Sequence, residues 1–118
     1  MSAPITDSFE TLESLKSLLD KELKPILVSY SQHTPKTLTK LKRAIKAGEL
    51  EQIQSIAHLL KGSSSNLGFM QFSANCAALE QAAKNNAEIT QLAELSEQLI
   101  KDAESLNDRI EQFIIDNF

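Results

Sequence analysis

The residues best placed to do chemistry are a histidine, a lysine and a glycine in one short run: His58, Lys61 and Gly62. The apolar residues around them have the spacing of one face of an α-helix. They are Ile53, Ile56, Ala57, Leu60 and Leu67. On such a helix His58 lies about 200° from Ile56 and faces solvent. The residues on its side of the helix are Gln54, Lys61, Gly62 and Ser65. The pattern predicts a site that is open to a docking partner.

These residue types favour nucleophilic chemistry on an anionic group. An exposed neutral imidazole is a nucleophile near neutral pH because its unperturbed pKa is about 6.5. Lys61 places an ammonium near the ring, which suits the anion that a phosphorylated imidazole becomes. Gly62 costs a helix about 1 kcal/mol relative to alanine, and its missing side chain leaves the ring open. The alternative is that His58 is an ordinary surface histidine.

The ungapped run HLLKGSSSNLG, residues 58–68, resembles the motif of histidine-containing phosphotransfer (HPt) domains of multistep phosphorelays. The stretch before it, LKRAIKAGELEQIQSIA, is similar to the family's turn before the histidine helix. The stretch after it, SANCAALEQAAKNN, is similar to the family's following helix. The resemblance covers about residues 12–113, which is nearly the whole chain.

The resemblance implies a phosphoryl carrier and gives each motif residue a role. His58 would accept the phosphoryl group on Nε2, and Lys61 would steady the phosphoryl oxygens. Gly62 would let the partner's active site close over the ring. Glu80 matches a polar position that in the family bonds the other ring nitrogen, which would hold the proton on Nδ1. The alternative is that Glu80 is an ordinary solvated charge.

The implied partners are receiver domains: those of hybrid sensor histidine kinases as donors, and those of response regulators as acceptors. We expect the partner-facing residues to be Gln54, Leu59, Ser65, Phe69 and Lys84. Phe69 and Met70 suit an exposed docking patch, although packing beneath the turn is an equal alternative. The chain lacks clustered carboxylates for Mg²⁺, so we expect Mg²⁺ in the receiver and no cofactor or metal here. Without an ATP-binding domain, the chain is expected to be a phosphocarrier and not an enzyme.

Two rival functions belong to other classes. A helical adaptor could bind a receiver domain or a kinase without carrying phosphate, but such an adaptor needs no exposed histidine. A metal- or haem-binding bundle needs inward histidines, paired E-x-x-H ligands or a C-x-x-C-H motif, and the sequence has none of these.

Composition supports an all-α protein. The chain has 118 residues, enough for one domain over 1–118, with only 3 Gly, 3 Pro and no Trp. Its net charge of −4 argues against nucleic-acid binding. Its single cysteine, Cys76, excludes an internal disulfide and is expected in the core. We see no signal peptide or membrane span and expect a cytoplasmic monomer.

Five helical segments follow from the hydrophobic periodicity. Asp7, after Thr6, is expected to cap the first helix with Glu10 reaching back, and that helix ends near Leu19. The second begins in the 20–24 region, is kinked or broken at Pro35, and ends at Gly48. The others are expected at about 49–67, 71–84 and 88–116. The apolar stripe of the second helix is Leu23, Ile26, Leu27, Tyr30, Leu38, Leu41 and Ile45. The apolar positions of the last helix are Leu92, Leu99, Ala103, Leu106, Ile110 and Phe113.

The fourth segment carries two neighbouring stripes. Its inward residues are expected to be Phe72, Cys76, Leu79 and Ala83. The adjacent stripe, which should flank the His58 face, is Ser73, Ala77, Glu80 and Lys84. Amphipathic helices with short connections predict an antiparallel up-down four-helix bundle with a short extra N-terminal helix.

Overall fold

Five α-helices make up the part of the chain that the computed structural model describes, residues 7–118. They are α1 (Glu10–Leu19), α2 (Leu23–Ala47), α3 (Leu50–Asn66), α4 (Met70–Lys84) and α5 (Ile89–Asn117). A short 3₁₀ turn, Asp20–Glu22, joins α1 to α2. Helices α2 to α5 form the antiparallel bundle, in which α3 packs most extensively on α4. The expected fold class is confirmed, and each predicted helix is present within a few residues of its expected bounds.

The core is built from the residues that the periodicity placed inward. In α3 to α5 every predicted inward residue is buried: Ile53, Ile56, Ala57, Leu60, Phe72, Cys76, Leu79, Ala83, Leu92, Leu99, Ala103, Leu106, Ile110 and Phe113. In α2 the apolar stripe is less complete, because Ile26 is exposed. Burial of one apolar face from each helix is the main force that holds such a bundle together.

Helix α2 runs through Pro35 as one helix, although the sequence also allowed two helices end to end. A proline has no N–H, so the carbonyl four residues earlier, that of Ser31, loses its helical partner. Asn107 of α5 replaces that donor: its Nδ2 donates to the Ser31 carbonyl oxygen at 3.1 Å. The proline is therefore accommodated by a side chain that α5 supplies.

Asp7 caps a different helix from the one predicted. Its two carboxylate oxygens accept the backbone N–H groups of Gln71 and Phe72, each at 2.9 Å. These donors belong to the first turn of α4, where N–H groups lack helical partners and the helix dipole favours a negative charge. At α1 it is instead the hydroxyl of Ser8 that accepts the Glu10 N–H. The prediction that Asp7 caps α1 is therefore wrong, and Thr6 lies outside the described residues.

The turn between α3 and α4 requires glycine at position 68. Gly68 has φ +86°, and a Cβ atom there would collide with the side chain of Thr11 in α1. On the same end of the bundle, Arg109 of α5 donates to the Asp7 carbonyl oxygen at 2.7 Å and stacks over the Phe9 ring at 4.5 Å. Helix α1 thus packs tightly over the α3–α4 turn.

Candidate functional site

His58 lies at the middle of α3 and points away from the core. Its side chain is 68% exposed, as the phase of the helix predicted. Its Nδ1 lies 2.9 Å from Oε2 of Glu80 on α4. A carboxylate only accepts hydrogen bonds, so Nδ1 must carry the proton in this contact. When the ring is neutral, the lone pair is therefore on Nε2, the nitrogen that can react with a partner.

Glu80 joins the histidine to the lysine. Its other carboxylate oxygen, Oε1, accepts a hydrogen bond from Nζ of Lys61 at 2.6 Å. The Lys61 hydrogen bond lowers the pKa of Glu80; burial opposes this shift, and the His58 hydrogen bond adds to it. The carboxylate thus remains charged at neutral pH and fixes both partners. The contact with His58 is present, so the alternative of an ordinary solvated charge does not hold for Glu80.

Gly62 has no structural reason to be glycine in this chain. A Cβ atom built there would meet no atom within 4 Å outside its immediate helical surroundings, and its backbone is helical. Most other residues would stabilise this helix position. The open space beside His58 is therefore kept at a cost to α3, as expected if a partner occupies it.

The other residues expected to face a partner lie in different environments. Leu59 is 61% exposed beside His58, and Lys84 is exposed one turn beyond Glu80. Gln54 and Ser65 are half-buried, and the Ser65 hydroxyl donates to the Gly62 carbonyl oxygen. These four residues remain candidates for docking on geometric grounds.

Phe69 is a correction to the predicted docking patch. It is fully buried and packs against Phe9 and Tyr30, with ring centroids 5.3 and 6.2 Å away. The alternative, packing beneath the turn, is the correct one for Phe69, because α1 folds over this end of the bundle. Its neighbour Met70 is exposed.

An open groove of about 520 Å³ runs between α2 and α3 beside the histidine. Its apolar lining includes Leu59, Leu60 and Ile26, of which Leu59 and Ile26 are exposed large hydrophobic side chains. Exposed apolar residues beside a reactive group are typical of a protein docking surface. Ile26, which the sequence assigned to the core, is therefore a docking candidate that periodicity missed.

Within residues 7–118, no group of three or more His, Cys, Asp or Glu side chains is placed to hold a metal ion. None of the helices in this range is both long enough and apolar enough to cross a membrane.

Comparison with known proteins agrees with the motif and the fold. The family model described as the Hpt domain matches residues 25–113, which include α3, α4 and most of α2 and α5. Histidine-containing phosphotransfer protein B (HptB) of Pseudomonas aeruginosa PAO1 has a similar structure, with a TM-score of 0.84, 26% identity and 96% of each chain covered. No curated protein gave a significant sequence match. The chain belongs to the Hpt domain family, the histidine phosphotransfer domains of phosphorelays.

Proposed function

We propose that this protein is a phosphorelay intermediate with His58 as its phosphoacceptor. It accepts a phosphoryl group from the aspartyl phosphate of a receiver domain in a hybrid sensor kinase. It then passes the group to the aspartate of a response regulator. The observation that carries the proposal is the Glu80 bridge, which leaves Nε2 of an exposed histidine free and holds a lysine beside it.

The transfer step follows from this geometry. As the P–O bond to the receiver aspartate breaks, the Nε2 lone pair of His58 forms the new P–N bond. The ring gains positive charge, which the Glu80 carboxylate stabilises through Nδ1–H. Lys61 supplies positive charge for the phosphoryl oxygens. Onward transfer reverses these steps on a second receiver, and neither direction consumes a nucleotide on this chain.

The partner supplies the remaining chemistry. Catalysis of phosphoryl transfer depends mainly on aligning the reacting groups and on neutralising the charge of the phosphoryl oxygens. We assign the aspartate and a bound Mg²⁺ to the receiver, and the nucleophile and one cation to this chain. The absence of a side chain at Gly62 and the exposed Leu59 then let the receiver's active site approach the ring.

The direct test is phosphoryl transfer from a panel of phosphorylated receiver domains. The wild type is expected to acquire an acid-labile label, and His58→Gln is expected to acquire none. Glutamine keeps a polar side chain at this exposed position, so the variant should fold normally; circular dichroism provides the control. If the wild type binds receivers yet stays unlabelled, the protein is an adaptor and the proposal is wrong.

A further inference from the structure

The backbone of α3 next to His58 is a weak part of the helix. Gly62 lowers helix stability there. The Ser63 hydroxyl donates to the Leu59 carbonyl oxygen at 3.1 Å, and the Ser65 hydroxyl donates to that of Gly62 at 3.1 Å. Such side-chain bonds to earlier carbonyls compete with the helical ladder and bend helices. The turn that carries Lys61 therefore needs support from outside α3.

Ser73 of α4 provides such support. Its side chain is buried, and its hydroxyl donates to the Lys61 carbonyl oxygen at 3.0 Å. That carbonyl directly precedes Gly62. Unlike the bonds of Ser63 and Ser65, which stay within α3, this bond ties the turn to a second helix.

The same face of α4 holds the turn in two ways. Ser73 and Glu80 are seven residues apart, so they lie two turns apart on one face of the helix. Glu80 binds the Lys61 ammonium and the His58 ring, while Ser73 binds the Lys61 main chain. Toward α2, the buried Ser64 shares a hydrogen bond of 2.9 Å with Tyr30. The turn is thus anchored to both neighbouring helices.

From this arrangement we infer that Ser73 is a positioning residue for phosphoryl transfer. It fixes the backbone at Lys61 and Gly62. The Lys61 ammonium and the space left by Gly62 therefore keep their positions relative to the His58 ring. Ser73 acts through Lys61 and contacts no reacting atom. The inference rests on the proposed function, in which small displacements of aligned groups slow the transfer step strongly.

The test compares Ser73→Ala with a matched control, Ser31→Ala. Both changes remove one buried serine hydroxyl and one hydrogen bond, since Ser31 Oγ donates to Glu111 Oε1 at 3.2 Å. Ser31, however, lies at the contact of α2 with α5, away from His58. We expect similar losses of thermal stability in both variants. Only Ser73→Ala should slow phosphoryl uptake, by about three- to tenfold at saturating phosphorylated receiver, with receiver affinity unchanged.

Two further measurements separate positioning from general stability. Ser73→Thr retains the hydroxyl and should restore most of the uptake rate. Backbone amide exchange should quicken at Lys61 to Ser65 in Ser73→Ala and not in Ser31→Ala, a readout that needs no phosphoryl transfer.

The possible outcomes are distinct. Equal uptake rates in wild type and Ser73→Ala overturn the inference, as does a folded Ser73→Thr that is as slow as the alanine variant. Equal slowing in Ser73→Ala and Ser31→Ala also overturns it, since stability alone would then explain the effect. A wild type that takes up no label at His58 overturns the proposed function instead, while the exchange result still decides whether Ser73 supports the turn.

Discussion

The two histidines of this chain have the same ring chemistry in different surroundings. Both are exposed on helices, and each has a lysine three residues later, Lys36 after His33 and Lys61 after His58. Nδ1 of His33 lies 2.7 Å from the Ser29 carbonyl oxygen, and Nδ1 of His58 lies 2.9 Å from Glu80. Both contacts place the proton on Nδ1. A free Nε2 alone therefore does not distinguish the proposed phosphoacceptor, His58, from an ordinary surface histidine.

The difference lies in what surrounds each ring. His33 is anchored by a neutral carbonyl of its own helix, and the residue four positions on is the β-branched Thr37. His58 is anchored by a carboxylate from another helix, and the equivalent position is Gly62. Glu80 also holds Lys61, whereas Lys36 forms no ion pair with any residue in the range 7–118. If His58 is the acceptor, as we propose, this comparison predicts that an acceptor site needs a fixed cation and open space as well as the right tautomer.

The most severe test of this comparison is to remove each imidazole in turn. His58→Gln should abolish phosphoryl uptake, whereas His33→Gln should still reach the wild-type stoichiometry of label. His33 lines the α2–α3 groove, so its removal can change receiver affinity, and the end-point stoichiometry is therefore the quantity to measure. Label remaining on His58→Gln and lost from a double variant would identify His33 as a second acceptor and break the comparison.

The role of the open space beside His58 is tested by placing a side chain at position 62. Gly62→Gln should be more stable than wild type by about 0.7 kcal/mol, because glutamine is a better helix former and meets no neighbour. Its phosphoryl uptake should nevertheless fall by about tenfold or more, because the side chain obstructs the receiver. Urea unfolding and uptake kinetics measure the two effects.

A matched variant opens the corresponding space beside the other histidine. Thr37→Gly combined with His58→Gln should remain unlabelled, because His33 still lacks a lysine that a carboxylate holds in place. Labelling of this double variant would show that open space alone is sufficient.

The contribution of the carboxylate is tested by Glu80→Gln. The amide oxygen can still accept from Nδ1 of His58, but the ion pair with Lys61 is lost, so uptake should slow by about two- to fivefold. The variant should also change the acid sensitivity of the fold. Because the Lys61 hydrogen bond lowers the folded-state pKa of Glu80, its stabilising contribution is complete above the unfolded value of about 4.3. That contribution is lost as the pH falls further, through the lower folded-state value.

Urea unfolding of the wild type and of Glu80→Gln between neutral pH and pH 3 measures the stability that the Glu80 carboxylate contributes. The stability advantage of the wild type over Glu80→Gln should shrink as the pH falls below the ordinary glutamate range. A constant difference across the range would contradict the assigned pKa shift.

The smallest effect concerns how α4 itself is held. Asp7→Ala removes the cap of α4 and should lower the free energy of unfolding by about 1 kcal/mol, while Asp7→Asn, still a good capping residue, should lose less. Because α4 anchors His58 and not His33, the ring NMR signals of His58 should shift more than those of His33. Equal losses in the two variants would show that capping is not the source of the stability.

The hydrophobic periodicity predicts the helices because it depends only on the spacing of apolar residues within each helix. The inward residues of α3, α4 and α5 repeat at helical spacing, and burial follows that repeat directly. The motif likewise identified His58, Lys61 and Gly62, since all three lie within one turn and their exposure depends only on the phase of α3. Their roles in transfer remain predictions.

The features that the sequence did not predict involve contacts between residues that are distant in sequence. Asp7 caps a helix that begins more than sixty residues later, and Asn107 donates a hydrogen bond to the carbonyl oxygen of Ser31, 76 residues before it. Phe69 lies in a turn, where no periodicity reports burial, and α1 decides its environment. Ser73 was placed on the correct stripe of α4, but only the packing of α4 on α3 shows that its hydroxyl reaches Lys61. Small polar residues on that stripe were the available signal.

The buried thiol of Cys76 can report how often the helical bundle opens. It is the single cysteine of the chain, lies fully within the core, and has its pKa raised to about 12 by burial. Only thiolate reacts with disulfide reagents, so modification must wait until the bundle opens. The rate of thiol labelling in native buffer therefore measures how often the core opens, and comparing free and receiver-bound protein would show how docking changes that frequency.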